Sequence, residues 1–113
     1  PEDVLARVRQ AGREVAATDE LEKAIGDLDV LYMTRIQKER FGDRVEDYEA
    51  CRGVYVIDSN CLRLMKPDSI IMHPLPRLDE IRMEVDNDRR AAYFRQAQNG
   101  LYVRMALLSQ VLS

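Results

Sequence analysis

Apolar residues recur along this chain at helical spacing, then in short unbroken runs, then at helical spacing again, an alternation that predicts helices and strands in turn. Val4, Leu5 and Val8 follow Pro1, a residue suited to a first helical turn. Gly12 stands where a C-terminal cap belongs, so a short helix is expected to end there. Residues 13–17 read as a brief strand. Asp19, with Glu22 three positions on, makes a capping-box pattern for a helix carrying Leu21, Ala24, Ile25 and Leu28. The run Val30-Leu31-Tyr32-Met33-Thr34 is short, apolar and bounded by polar residues, which predicts a strand buried on both faces that delivers Arg35 at its end.

Further along, residues 45–51 are a helix candidate closed by Gly53, residues 54–57 a strand, and residues 59–65 a short helix that stops before Pro67. Residues 69–72 form the next buried strand. From Tyr93 onward, Phe94, Ala97, Leu101, Met105, Leu108 and Leu112 fall on one face at spacings of three and four, a long amphipathic helix. Gly100 lies inside it, so either the helix breaks at Asn99-Gly100 or a close contact there wants no side chain. Strand, helix, strand, helix argues for an α/β fold, a parallel sheet flanked by helices in a three-layer sandwich.

The 113 residues are 46% hydrophobic and 33% charged, the make-up of a soluble globular domain or part of one. Starting at Pro1 in helix-like sequence and stopping at Ser113 within a helical pattern, the chain reads as a piece of something larger. The net charge is −3 and basic residues are interspersed with acids, which speaks against a nucleic-acid partner. No apolar run approaches the ~20 residues that span a bilayer, so no membrane partner is expected. Cys51 and Cys61 are too few for a disulfide framework and read as buried free thiols; with one histidine in the chain, no zinc site is expected.

In a parallel sheet, ligands collect beyond the carboxyl ends of the strands. Two loops stand there. Thr34-Arg35-Ile36-Gln37-Lys38-Glu39-Arg40 offers guanidinium and amide donors suited to carboxylate oxygens. His73-Pro74-Leu75-Pro76-Arg77, whose two prolines remove two N–H donors, offers backbone carbonyls suited to an amide NH₂. A ligand carrying both groups would fit between them.

These blocks, with Leu78-Asp79-Glu80-Ile81 after the second and Ala92-Tyr93-Phe94-Arg95-Gln96-Ala97-Gln98-Asn99-Gly100 beyond, resemble the C-terminal part of the aspartate carbamoyltransferases. The resemblance keeps order and spacing from Asp29 onward. The related ornithine enzymes carry a cysteine after the corresponding histidine, where this chain has Pro74, so aspartate is the favoured acceptor.

The resemblance implies carbamoyl transfer from carbamoyl phosphate to L-aspartate in pyrimidine synthesis, without metal or organic cofactor. It assigns Arg35 and Gln37 to aspartate, and the Leu75 and Pro76 carbonyls to the carbamoyl NH₂, with a cis peptide before Pro76. Glu39 and Glu80 are expected to hold Arg35, and Arg40 to pair with Asp79. It also implies a homotrimer and a cytoplasmic enzyme, plastid in plants.

His73 could tempt as a general base but is read as packing beside the loop, so no catalytic residue is assigned within these residues. Arg104 either lies near the active site or pairs with an acid across its helix, the second reading being favoured. Tyr93, Phe94, Leu101, Met105 and Leu108 read as core. The phosphate-binding loop of the family is absent, so residues 1–113 would be the C-terminal part of an aspartate-binding domain, inactive alone. Residues 93–113 would then form a helix that packs on the carbamoyl-phosphate domain and shows an apolar stripe when that domain is missing. A non-catalytic carbamoyltransferase-like binding or scaffold module is the alternative.

Overall fold

A computed structural model describes residues 2–36, 42–46, 50 and 53–112. Helix α1 spans Glu2–Gln10. It ends as expected: Gly12 takes φ +73°, its N–H reaches the Arg9 carbonyl at 2.9 Å, and the Arg13 N–H reaches Val8 at 3.2 Å. Those two bonds are a Schellman cap, and glycine alone enters that φ without steric cost. Residues 13–17, expected as a strand, form none, and no ladder partner faces them among the described residues.

Helix α2, Leu21–Ile25, starts one residue later than the capping-box reading requires. Glu20 occupies the cap position and makes no side-chain cap bond, while its N–H donates to Thr18 Oγ1 at 3.0 Å. With the cap at Glu20, the third helical position is Lys23, so the Asp19–Glu22 box cannot close. Helix α3, Ser59–Leu64, is properly capped instead: the Asp58 carboxylate accepts the Asn60 and Cys61 N–H groups at 2.8 and 3.0 Å. Those bonds, Cys61's foremost, hold the Asp58 pKa below its usual value.

Strands β1, Val30–Tyr32, and β2, Ile70–Met72, pair in parallel, with Val30 opposite Ile70, Leu31 opposite Ile71 and Tyr32 opposite Met72. Beyond β2, Ala91 makes a one-residue parallel bridge to Ile71, and Ile57 makes another to Ile81. The strand expected at 54–57 is reduced to that single bridge. Nor is β1 buried on both faces: Leu31 is buried, while Val30 and Tyr32 are 49% and 53% exposed. One face of the sheet carries the core and the other is only partly covered, so β1 alternates as a half-buried strand does.

Leu31 and Ile71 join Ile25 of α2, Cys61 and Met65 around α3, and Ile57, Ile81, Val85, Ala91 and Tyr93 in one apolar cluster. Val85 lies in a 3-10 helix, Met83–Asn87, that packs on α3. Cys61 is a buried free thiol, as expected, and burial raises its pKa. Cys51 and most of the helix expected at 45–51 lie outside the described residues.

Helix α4 runs unbroken over Tyr93–Leu112. Gly100 does not interrupt it. A Cβ at Gly100 would meet Arg104 Nη1 at 3.2 Å, the movable end of a side chain rather than a neighbouring backbone. The acid expected across the helix from Arg104 is missing, because α4 contains no Asp or Glu.

Only the first turn of α4 is seated: Tyr93 is fully buried, whereas every residue from 101 to 112 is exposed. Phe94, Leu101, Met105 and Leu108, read as core from their spacing, are therefore uncovered here. The radius of gyration, 16.9 Å, exceeds the ~13 Å of a compact chain of the same length, in keeping with an α1 that buries no residue and an α4 exposed from 101 to 112.

Candidate functional site

The register of β1 and β2 decides which loops are neighbours. Tyr32 and Met72 are the last paired residues, and the Met33 N–H still reaches the Met72 carbonyl at 2.9 Å. Both strands run the same way, so the loops beyond them leave the same edge side by side. Arg35 and Leu75 each stand three residues past the paired Tyr32 and Met72.

A cavity of about 570 Å³ opens beside these loops, within the range of small-molecule sites. Arg35 lines it together with Thr34, Asp79 and Glu80, above an apolar wall that includes Leu21, Met33, Tyr55 and Leu78. The structure thus brings together Arg35, Asp79 and Glu80 of the expected set. Leu75 and Pro76 are not among the cavity's lining residues. Gln37, Glu39 and Arg40 lie outside the described residues.

The second loop is tightly determined. The Leu75-Pro76 peptide is cis, as the resemblance implies, and Leu75 holds φ +51°. That left-handed conformation is uncommon for a residue with a γ-branched side chain and persists only where the surroundings enforce it.

His73, 1% exposed, supplies one constraint: its Nδ1 accepts the Leu75 N–H at 2.8 Å. An N–H can only donate, so Nδ1 carries a lone pair and the ring proton sits on Nε2, 2.8 Å from Glu80 Oε1. The other oxygen of Glu80 accepts the Leu78 N–H at 3.1 Å. Glu80 is therefore engaged within its own loop, by a buried imidazole that needs an acceptor.

Two further contacts seat the loop on the fold. The buried His73 N–H donates to Gln96 Oε1 at 2.9 Å, and Gln96 Nε2 donates to the Tyr32 hydroxyl at 3.2 Å. One side chain of α4 thereby spans the ends of both strands.

Downstream, Arg77 makes a two-pronged ion pair with Asp86, through Nη1 to Oδ1 and Nη2 to Oδ2, the latter 2.7 Å. The Tyr93 hydroxyl donates to Asp86 Oδ1, Arg77 Nη1 donates to that hydroxyl at 3.1 Å, and the guanidinium lies 5.4 Å from the ring centroid. Arg77 lowers the Asp86 pKa, and burial followed by the Asp86 bond pushes Tyr93 up to about 12. Sequence reasoning gave no role to Arg77, Asp86 or Gln96. Arg77 and Gln96 stood in the quoted blocks, but Asp86 carries no local signal.

Comparison with known proteins fits this geometry. A family model described as aspartate/ornithine carbamoyltransferase, Asp/Orn binding domain, matches residues 2–111. The chain belongs to that family. Among carbamoyltransferase relatives, the chloroplastic aspartate carbamoyltransferase of Oryza sativa subsp. japonica is 51% identical over 111 residues, which cover 98% of this chain and 31% of the relative.

The catalytic subunit of M. jannaschii aspartate transcarbamoylase superposes with a TM-score of 0.84 at 41% identity, over 97% of this chain and 36% of that one. The Trypanosoma cruzi aspartate transcarbamoylase in complex with N-(phosphonacetyl)-L-aspartic acid gives 0.82 at 42% identity, over 96% and 35%. The chain spans about a third of the length of these relatives.

Proposed function

We propose that this chain is part of the aspartate-binding lobe of an aspartate carbamoyltransferase. In the complete protein the aspartate amine attacks the carbonyl carbon of carbamoyl phosphate. A C–N bond forms, the C–O bond to phosphate breaks, and the nitrogen gives up a proton, leaving N-carbamoyl-L-aspartate and phosphate for pyrimidine synthesis. Arg35 and Gln37 bind aspartate, and the Leu75 and Pro76 carbonyls accept the carbamoyl N–H groups.

The observation that supports this most is the equal offset of Arg35 and Leu75 beyond paired residues of two parallel strands. It sets a forked cation beside a loop freed of two N–H donors. A dicarboxylate favours Arg over Lys because the guanidinium binds bidentately. A carbonyl-lined pocket favours an amide nitrogen, since an oxygen there would leave its acceptors unpaired.

The exposed apolar length of α4 supports its docking on a carbamoyl-phosphate lobe, and without that lobe these residues do not catalyse. A homotrimer in the cytoplasm, or in the plastid of a plant, completes the reading. Among the described residues no helix is long and apolar enough to cross a membrane.

The test is carbamoyl transfer by the complete chain with aspartate and ornithine as competing acceptors, and Arg35→Lys as the variant. The expected product is N-carbamoyl-aspartate, with the variant raising the aspartate KM about tenfold or more and the carbamoyl-phosphate KM far less. Tight binding of N-(phosphonacetyl)-L-aspartic acid without turnover would instead mark a non-catalytic module.

A further inference from the structure

We infer that His73 is a positioning residue for the carbamoyl group, acting through the Leu75 backbone in its neutral, Nε2-protonated form; this rests on the function proposed above. Leu75 is the residue whose backbone is least free to choose its own conformation, since φ +51° is disfavoured for leucine. Its N–H, on the nitrogen at one end of the N–Cα bond about which φ turns, is held by His73 Nδ1 at 2.8 Å.

The imidazole cannot turn over to lose this bond, because Nε2 is tied to Glu80 Oε1 at 2.8 Å while Glu80 Oε2 holds the Leu78 N–H. The start and the end of the loop therefore meet on one buried ring. With the Leu75 N–H held here and Arg77 held on Asp86, the backbone is tied on both sides of the Leu75 carbonyl. His73 transfers no proton in this role; its lone pair, not its basicity, is what the loop uses.

Asparagine and glutamine separate the two nitrogens. In His73→Asn the new amide oxygen can occupy the Nδ1 position and accept the Leu75 N–H, whereas in His73→Gln the new amide nitrogen reaches the Nε2 position and keeps only the Glu80 contact. In the complete chain, His73→Asn is expected to keep kcat within about threefold of the parent, and His73→Gln to lower it about tenfold or more, with both variants still unfolding in a single cooperative thermal transition. Equal kcat in the two variants, whether both retained or both lowered, overturns the assignment.

Nitrogen-15 NMR of the parent, with the His73 signal identified by its loss in His73→Asn, gives a readout independent of turnover. An unprotonated Nδ1 with a protonated Nε2 is expected, and a proton on Nδ1 overturns the inference. A parent chain that carbamoylates no aspartate while showing this tautomer would sink the proposed function and leave the His73–Leu75 coupling standing.

Discussion

Arg77 closes on Asp86 through both ends of its guanidinium, joining the proline loop to the 3-10 helix nine residues on. Their side chains are 15% and 26% exposed, so the pair is largely shielded from solvent. Removing one partner leaves the other desolvated and underused. Asp86→Asn in the complete chain is expected to cost about 1–3 kcal/mol in denaturant unfolding. Arg77→Lys keeps the charge but only one prong, so it should cost less stability while still raising the carbamoyl-phosphate KM. An Asp86→Asn protein as stable as the parent would show that the fork contributes nothing net.

Asp88 makes a pH-dependent contribution of known sign. Arg90 donates to both of its oxygens, and this is the main cause that lowers the Asp88 pKa from 3.8 to about 2. A carboxylate depressed in the folded state binds its proton more readily when unfolded. Its stabilisation is thus present above the unfolded value and lost as pH falls through the folded one. Between about pH 4 and pH 2 the parent should lose stability more steeply than Asp88→Asn, measured by denaturant midpoints across that range. Arg90 also donates to the Met65 and Lys66 carbonyls, so the Asn variant should be the weaker of the two at neutral pH.

What could be read in advance followed the range of the forces involved. The Tyr93–Leu112 helix and the α1 cap are set by contacts three to five residues apart, and periodicity with one glycine sufficed. The strands at 13–17 and 54–57 failed because a strand is defined by its partner, and only Ile57 finds one. Tyr55 instead sends its hydroxyl to the Asp19 carbonyl at 3.1 Å.

Glu80 was assignable to the site by its motif, yet its partner depended on how the loop turns back on His73. No pattern in the sequence encodes that seven-residue return. The cis bond before Pro76 was legible only through the resemblance, and the partnership of Arg77 with Asp86 was not legible at all.

Gln96 tests whether the loops that follow β1 and β2 are coupled through α4. It accepts the buried His73 N–H and donates to the Tyr32 hydroxyl, so Gln96→Ala removes both contacts at once. An unsatisfied buried N–H costs about 1–3 kcal/mol. Gln96→Glu restores the acceptor for His73 and removes the donor for Tyr32. In the complete chain the Glu variant should recover most of the stability lost in the Ala variant, read from thermal midpoints. Equal losses would mean that the Tyr32 bond, not the His73 bond, matters.

The apolar length of α4 leads to opposite expectations in the segment and in the complete chain. Leu101, Met105 and Leu108 are 55%, 58% and 60% exposed on one helix face, an apolar stripe of the kind that marks an interaction surface. Changing all three to glutamine in the isolated segment should reduce self-association in sedimentation without loss of helical circular dichroism, since glutamine is a good helix former. In the complete chain the same face is proposed to dock on the carbamoyl-phosphate lobe. There the triple change should destabilise by about 1.5–3 kcal/mol for each apolar side chain uncovered. Solubility gained in the segment with no stability lost in the complete chain would place α4 away from that lobe, and the docking would have to be abandoned.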